Sequence, residues 1–236
     1  MRLLVLRPEP GARATAQRIA ALGHEAIVTP LFTVAPVAWQ APDPTDHDAL
    51  ILTSANAVRH AGPGLADLAG LPVYAVGAAT ATAAREAGLS VRAAGLSDGA
   101  ALLAHAAADG VRTPLHLAGA DHRAISQDGC ELRRIIVYRA DPVARLPDEA
   151  RRALADGAIA LLHSPRAAAL FSGLVAEGEI PRGSIAIAAI SAATARAAGE
   201  GWRSTSLAAL PTDEALLAAA LLLCQTEAGM QDRAGV

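Results

Sequence analysis

The sequence predicts an α/β fold made of two similar lobes, each a mainly parallel sheet flanked by helices. Two extended linkers join the lobes and leave a cleft between them. Three observations lead there. Short apolar runs without polar alternation read as strands covered on both faces, and helix-spaced segments separate them. Four of the runs end in a loop of small or hydroxyl residues followed by a helix start. The strand-end motifs then recur in the same order on the order of 110 residues later.

The elements follow from local pattern. Leu3–Leu6 is the first buried strand, and Arg7-Pro8-Glu9-Pro10-Gly11 turns the chain. Ala14–Leu22 carries Ile19 and Leu22 on one helical face, with Gly23 as the stop. Ala26–Val28 is the next strand. Ala49–Leu52 is a strand running into the capping loop Thr53-Ser54-Ala55-Asn56. Val73–Val76 is a strand, Gly77–Thr80 its loop, and the helix after it runs through Ala87 to Gly88. The apolar stretch Ala215–Cys224 is one buried helix face, about half the roughly 20 residues that span a bilayer. The polar tail, residues 225–236, reads as flexible.

The repeat is specific to strand ends. Leu52-Thr53-Ser54-Ala55-Asn56-Ala57 returns as Leu162-His163-Ser164-Pro165-Arg166-Ala167, and Val76-Gly77-Ala78-Ala79-Thr80-Ala81 as Ile190-Ser191-Ala192-Ala193-Thr194-Ala195. His24-Glu25 and Phe32…Pro36-Val37 match Cys130-Glu131 and Tyr138…Pro142-Val143, and Leu3–Leu6 matches Leu115–Leu117. Pro36-Val37 and Asp141-Pro142-Val143 hold equivalent positions, and each could be an extended crossing between lobes, so the lobes need not be the two sequence halves. If both cross, the first lobe is 1–35 with 141–236, the second 38–139, and the linkers 36–37 and about 140–143.

Composition removes several function classes. Aromatic residues are 3% of the chain, too few for base-stacking platforms. Twenty Lys+Arg against 23 Asp+Glu leave a net charge of -3, with no surplus to neutralise a phosphate backbone. Cys130 and Cys224 form neither a metal nor a redox spacing. Pro8 and Pro10 cut the first apolar run too short for a signal peptide, and a cytoplasmic location is expected. GxGxxG is missing after the first strand, and GxxxxGK[ST], HExxH and GxSxG are missing throughout. His116 and His122 bracket Asp121, a loop trio that reads as surface chemistry rather than a metal site. Expected cofactors and metals are none.

What remains is a set of donors at strand ends. Thr53, Ser54, Asn56, Gly77, Thr80, Gly119, Ser164, Ser191 and Thr194 lie in or beside loops where backbone amides can approach a ligand. Arg7, Arg123 and Arg166 lie at or near strand ends and can pair carboxylates. Together they describe a cleft for a polyanionic small molecule. An enzyme acting on such a molecule and a catalytically idle two-lobed binder or sensor of it both fit. A periplasmic-type binder fits less well, for want of a signal peptide.

The order of LRP (Leu6–Pro8), TSANAV (Thr53–Val58), VYAVGAATA (Val73–Ala81), LHLAG (Leu115–Gly119), VYRADPV (Val137–Val143), LLHSPRAA (Leu161–Ala168) and IAAISAATARAAGEGW (Ile187–Trp202) resembles the uroporphyrinogen-III synthase family over nearly the whole chain. The resemblance implies a cofactor-free lyase of porphyrin, tetrapyrrole and heme biosynthesis, acting as a monomer. Its substrate is hydroxymethylbilane, a small-molecule polycarboxylate. Loss of the hydroxyl gives an azafulvene, and closure through a spiro intermediate inverts the last ring. Tyr138 matches the family's VY tyrosine and is implied as an acid assisting hydroxyl loss, without being indispensable. Thr194 matches the threonine of the second Gly-x-x-Thr-Ala loop, although Ser191-Ala192 replaces its usual Gly-Pro. Residues 121–129 are shorter than the family's helix at that point.

Overall fold

The computed structural model describes residues 1–95 and 98–234, with side chains through residue 223. In chain order the elements are β1 (Arg2–Val5), α1 (Gly11–Ala21), β2 (Glu25–Val28), β3 (Phe32–Pro36), β4 (Leu50–Leu52), α2 (Ala55–His60), β5 (Val73–Ala75), α3 (Ala78–Glu86), β6 (Val91–Ala94), α4 (Gly99–Ala108), β7 (Leu115–Gly119) and β8 (Arg133–Pro142). There follow α5 (Asp148–Ala155), β9 (Ile159–Leu162), α6 (Pro165–Glu177), β10 (Ala186–Ala189), α7 (Ala192–Ala198), β11 (Ser204–Leu207) and α8 (Asp213–Ala234). The chain divides into two compact units, Met1–Thr33 with Pro142–Val236, and Val34–Asp141.

The first unit holds a five-stranded sheet in the order β11-β10-β9-β1-β2, parallel throughout. Leu3 and Val5 point to one face, where Ile19 of α1 and Leu216, Leu217 and Ala220 of α8 pack on them. Leu4 is equally buried, so the strand is covered on both sides, as its unbroken apolar run requires. On α6, Phe171 is fully buried and stacks on Trp202 with 5.6 Å between ring centres. Burying side chains of this size contributes roughly 1.5–3 kcal/mol each.

Gly23 ends α1 at φ +76°, a left-handed turn that frees the next N–H to bond back to Ile19 O at 3.1 Å. Helix α8 starts at Asp213 and runs to Ala234, so most of the stretch expected as a loose tail is helical. Gln225, Glu227, Ala228 and Met230 are good helix formers, and they extend an apolar helix that is already nucleated. Residues 235 and 236 lie outside the described residues.

The second unit holds a six-stranded sheet in the order β3-β8-β7-β4-β5-β6. Strand alternation sorts its core into two layers. Leu50, Leu52, Leu115, Leu117 and Val137 face one side, against Val58, Leu65, Leu68, Ala83 and Ala84. Ile51 and Tyr74 face the other, against Leu102, Leu103 and Ala106 of α4. Strands β7 and β8 are parallel, yet residues 120–132 between them carry no helix and cross as an irregular segment.

Candidate functional site

In the second unit the carboxyl ends of β4 and β7 open on a cavity of about 230 Å³. Thr53 and Ser54 reach it from the β4–α2 turn, Gly99 from the first turn of α4, and Gly119 from the end of β7. Asp121, His122, Arg123 and Ile125 come from the irregular crossing, and Tyr138 from β8. Five residues singled out in the sequence therefore meet here: Thr53, Ser54, Gly119, Arg123 and Tyr138. The placement follows the rule that open parallel sheets bind ligands beyond the carboxyl ends of their strands.

The close approach of Tyr138 depends on Gly119. These residues pair across β7 and β8 beside a register shift. A β-carbon on Gly119 would lie 2.5 Å from Tyr138 Cζ and 2.8 Å from its hydroxyl oxygen, so only glycine leaves room for the ring. The half-buried ring also lies 6.3 Å, centre to centre, from the His60 imidazole. His60 is itself held below its ordinary value by burial and by the Arg59 charge. Ser54 is the N-cap of α2, its Oγ accepting from Asn56 N–H at 3.2 Å. His122 Nδ1 lies 3.0 Å from Gly119 O, and Arg123 is exposed at the rim.

Behind Thr53 stand two residues that motif reading did not join to it. Thr53, His116 and Arg134 lie on one sheet face across three neighbouring strands. Ile51 is paired with His116, and His116 with Arg134. Thr53 lies two residues beyond Ile51, hence on the same side. His116 Nε2 is 3.1 Å from Thr53 Oγ1, and Arg134 Nε donates to His116 Nδ1 at 3.3 Å. Arg134 also donates to Ile125 O at 3.4 Å, tying the crossing segment to the sheet. His116 is 1% exposed, and burial, then the charges of Arg134 and His122, bring its pKa down to about 4. The imidazole is therefore neutral near pH 7. Its pairing with His122 as a surface trio does not hold, since its side chain turns into the sheet face instead.

Three sequence-predicted residues of this unit lie outside the cavity lining. Asn56 sits in the first turn of α2, Gly77 caps α3, and Thr80 is buried in α3.

In the first unit Arg7 follows β1 and folds over Gly11, where a β-carbon would meet its guanidinium at 2.5 Å. Expected to pair an external carboxylate, it lies 3.5 Å from Asp213 instead. Asp213 gathers the surrounding polar groups: Thr15 Oγ1 donates at 3.0 Å, Arg18 at 3.1 Å, and His163 Nε2 lies at 2.9 Å. Burial alone would raise its carboxyl. The hydrogen bonds from His163 and Thr15, and the charges of His163 and Arg7, outweigh burial and hold it low.

Ser164 caps α6 and accepts from Ala167 N–H at 3.2 Å. Arg166 is exposed, with its guanidinium 4.3 Å over the Phe32 ring. Ser191 caps α7, accepting from Thr194 N–H at 3.2 Å, and the two hydroxyls lie 2.9 Å apart. Thr194 is fully buried.

The cavity of the second unit thus offers three hydroxyls, Thr53, Ser54 and Tyr138, and the Arg123 guanidinium to an oxyanion, with the Asp121 carboxylate also in its lining. At about 230 Å³ it takes an acidic side arm rather than a whole large ligand. Among the described residues no group of three His, Cys, Asp or Glu side chains is placed to hold a metal ion. Nor is any described helix long and apolar enough to cross a membrane.

A family model described as "Uroporphyrinogen-III synthase HemD" matches residues 13–218. The crystal structure of uroporphyrinogen-III synthetase from Helicobacter pylori 26695 superposes with a TM-score of 0.64 at 20% identity, covering 94% of this chain and 100% of that one. A mutant uroporphyrinogen III synthase from Thermus thermophilus gives 0.54 at 18% identity, covering 92% and 96%. At these identities the two structures share the fold. No curated protein matches the sequence.

Proposed function

This chain belongs to the uroporphyrinogen-III synthase family, and we propose that it closes hydroxymethylbilane to uroporphyrinogen III with release of water. The family match across residues 13–218 carries the reading. In this chemistry the terminal C–O bond breaks and the hydroxyl leaves as water. The azafulvene that remains is attacked by the substituted carbon of the last ring, forming a spiro C–C bond. Breaking and re-forming that ring's link inverts it, and loss of a proton restores the pyrrole. The reading has the chain act in the cytoplasm, as a monomer and without a cofactor.

The demand on the protein is positional, because the open precursor closes by itself to the uninverted type I isomer. Holding one ring over the cation converts a choice among conformers into one approach. We assign Thr53, Ser54 and Arg123 to a carboxylate arm, and Tyr138 to proton donation at the departing hydroxyl. The support is that they line one cavity, with the Tyr138 ring fixed over Gly119. In the first unit we assign Ser164, Arg166, Ser191 and Thr194 to further carboxylates. Their support is the small strand-end loops and an exposed guanidinium. Arg7 drops out of this set, since Asp213 already engages it.

The test is direct. Freshly prepared hydroxymethylbilane is supplied to the purified chain, and the oxidised porphyrins are resolved by chromatography. An excess of type III supports the synthase; type I alone, at the uncatalysed rate, refutes it.

A further inference from the structure

We infer that His116 is a positioning residue that orients the Thr53 hydroxyl, leaving its proton to be donated to a ligand in the cavity, with Arg134 choosing the imidazole tautomer. The substrate identity rests on the synthase reading; the hydrogen-bond assignment rests on geometry alone. An arginine side chain can only donate. Arg134 Nε lies 3.3 Å from His116 Nδ1, so that nitrogen must accept and carries no proton. The neutral ring then keeps its proton on Nε2, which is 3.1 Å from Thr53 Oγ1 and donates to it.

Thr53 has thereby filled an acceptor position, and its own proton is left to give. The hydroxyl stands in the cavity wall beside Gly119 and Tyr138, and the acceptor it selects is an oxyanion, either a carboxylate arm or the departing oxygen. A hydroxyl free to rotate can aim its proton anywhere. One fed by His116 has one lone pair taken and its rotation restricted, so its proton is turned away from His116 and is left to give, and the relay lies on adjacent strands that hold it still. Arg134 also grips Ile125 O, so the same guanidinium holds part of the cavity wall.

Four variants and one spectroscopic reading test the assignment. Thr53→Val removes the donor and is expected to lower kcat/KM for hydroxymethylbilane about tenfold, as loss of a hydrogen bond to a charged group does. His116→Leu is expected to fall by a similar factor. His116→Gln, whose amide N–H can reach where Nε2–H stood, is expected to recover most of the activity. The double variant His116→Leu with Thr53→Val should be no worse than Thr53→Val alone. Multiplied losses in the double variant, or a His116→Gln protein that melts like wild type yet is as slow as His116→Leu, would overturn the relay. Nitrogen NMR of the wild-type imidazole needs no turnover. A proton on Nε2 at pH 7 is the expected result, and a proton on Nδ1 defeats the inference even in an active enzyme. Conversely, type I product alone from wild type refutes the synthase reading while the NMR result still judges the relay.

Discussion

Moving the protein from pH 8 to pH 5 is expected to cost the second unit about 2 kcal/mol through His116 alone. The folded ring has its pKa near 4 against an ordinary 6.5, because burial and the facing charges of Arg134 and His122 oppose protonation. As pH falls through 6.5 the unfolded chain binds a proton at this position and the folded chain refuses it. The stability attached to the neutral ring is therefore whole above 6.5, drains across the window from 6.5 to about 4, and is gone below it. Each unit of separation corresponds to about 1.4 kcal/mol, giving about 3 kcal/mol in full, of which about 2 is spent by pH 5. Urea melts follow the unit through Trp39, in a Trp202→Phe background that leaves it the only tryptophan. His116→Gln, which does not titrate, should show a flatter pH dependence by that amount. Identical slopes in the two proteins, or an imidazole that titrates by NMR near 6.5, would refute the burial argument.

Three further outcomes follow from named contacts. Gly119→Ala places a β-carbon where the Tyr138 ring lies, and is expected to cut kcat/KM by about tenfold while costing about 1–3 kcal/mol of stability. In a Tyr138→Ala background the same change should cost little, which the double variant checks by urea melts. Asp213→Asn removes the charge shared by Arg7, Arg18 and His163, and should lower the unfolding free energy by about 2 kcal/mol at pH 7. Because that carboxyl is held low, its share is present above the ordinary value of 3.8 and is lost as pH falls below it. Expressed alone, residues 34–141 should give a cooperative melt by circular dichroism, whereas residues 1–110 should not.

Much of this fold was readable because buried parallel strands announce themselves. Leu3–Leu6 anticipates β1 at Arg2–Val5 to within a residue, and Gly23 and Gly88 mark helix ends where φ is positive. Helix α1 begins at Gly11, three residues before the periodic pattern that starts at Ala14, since glycine and alanine leave no amphipathic trace. For the same reason α4, with its run of alanines and leucines, had no legible polar face. At the site, Thr53, Ser54 and Gly119 were visible as strand-end residues, and Tyr138 through the family resemblance. His116 and Arg134 were not, because what unites them with Thr53 is strand register, and register is not a local property. Arg7 and Asp213 stand at opposite ends of the chain, so an internal partner for Arg7 had no sequence signal at all. The chain also contains no lysine. Each of its cationic groups other than histidine and the N-terminus is therefore a guanidinium, suited to fork onto carboxylates, and composition alone could not say whether a given one meets an internal acid or a ligand.

The repeat and the units are different divisions of one chain, and the sheet orders explain why. The first unit reads β2-β1-β9-β10-β11 and the second β3-β8-β7-β4-β5-β6, so, β3 aside, β1 corresponds to β7, β9 to β4, β10 to β5 and β11 to β6. Apart from the added edge strand β3, each sheet takes two neighbouring strands from one sequence half and its last three from the other. The central joints are the pairings of β1 with β9 and of β4 with β7. A cut between the repeats breaks both joints at once. It leaves β1 without β9 and β4 without β7, and strips the partners from Leu3, Val5, Leu50 and Leu52. A cut at Thr33 and Asp141 breaks neither. The joint between β4 and β7 is also where Thr53 meets His116 and where the cavity opens. In the second unit, then, the pairing that holds the two sequence halves together is the one that builds the site. A change that slips that register by one residue would turn Thr53 and His116 to opposite faces and dismantle the relay before it unfolded the sheet.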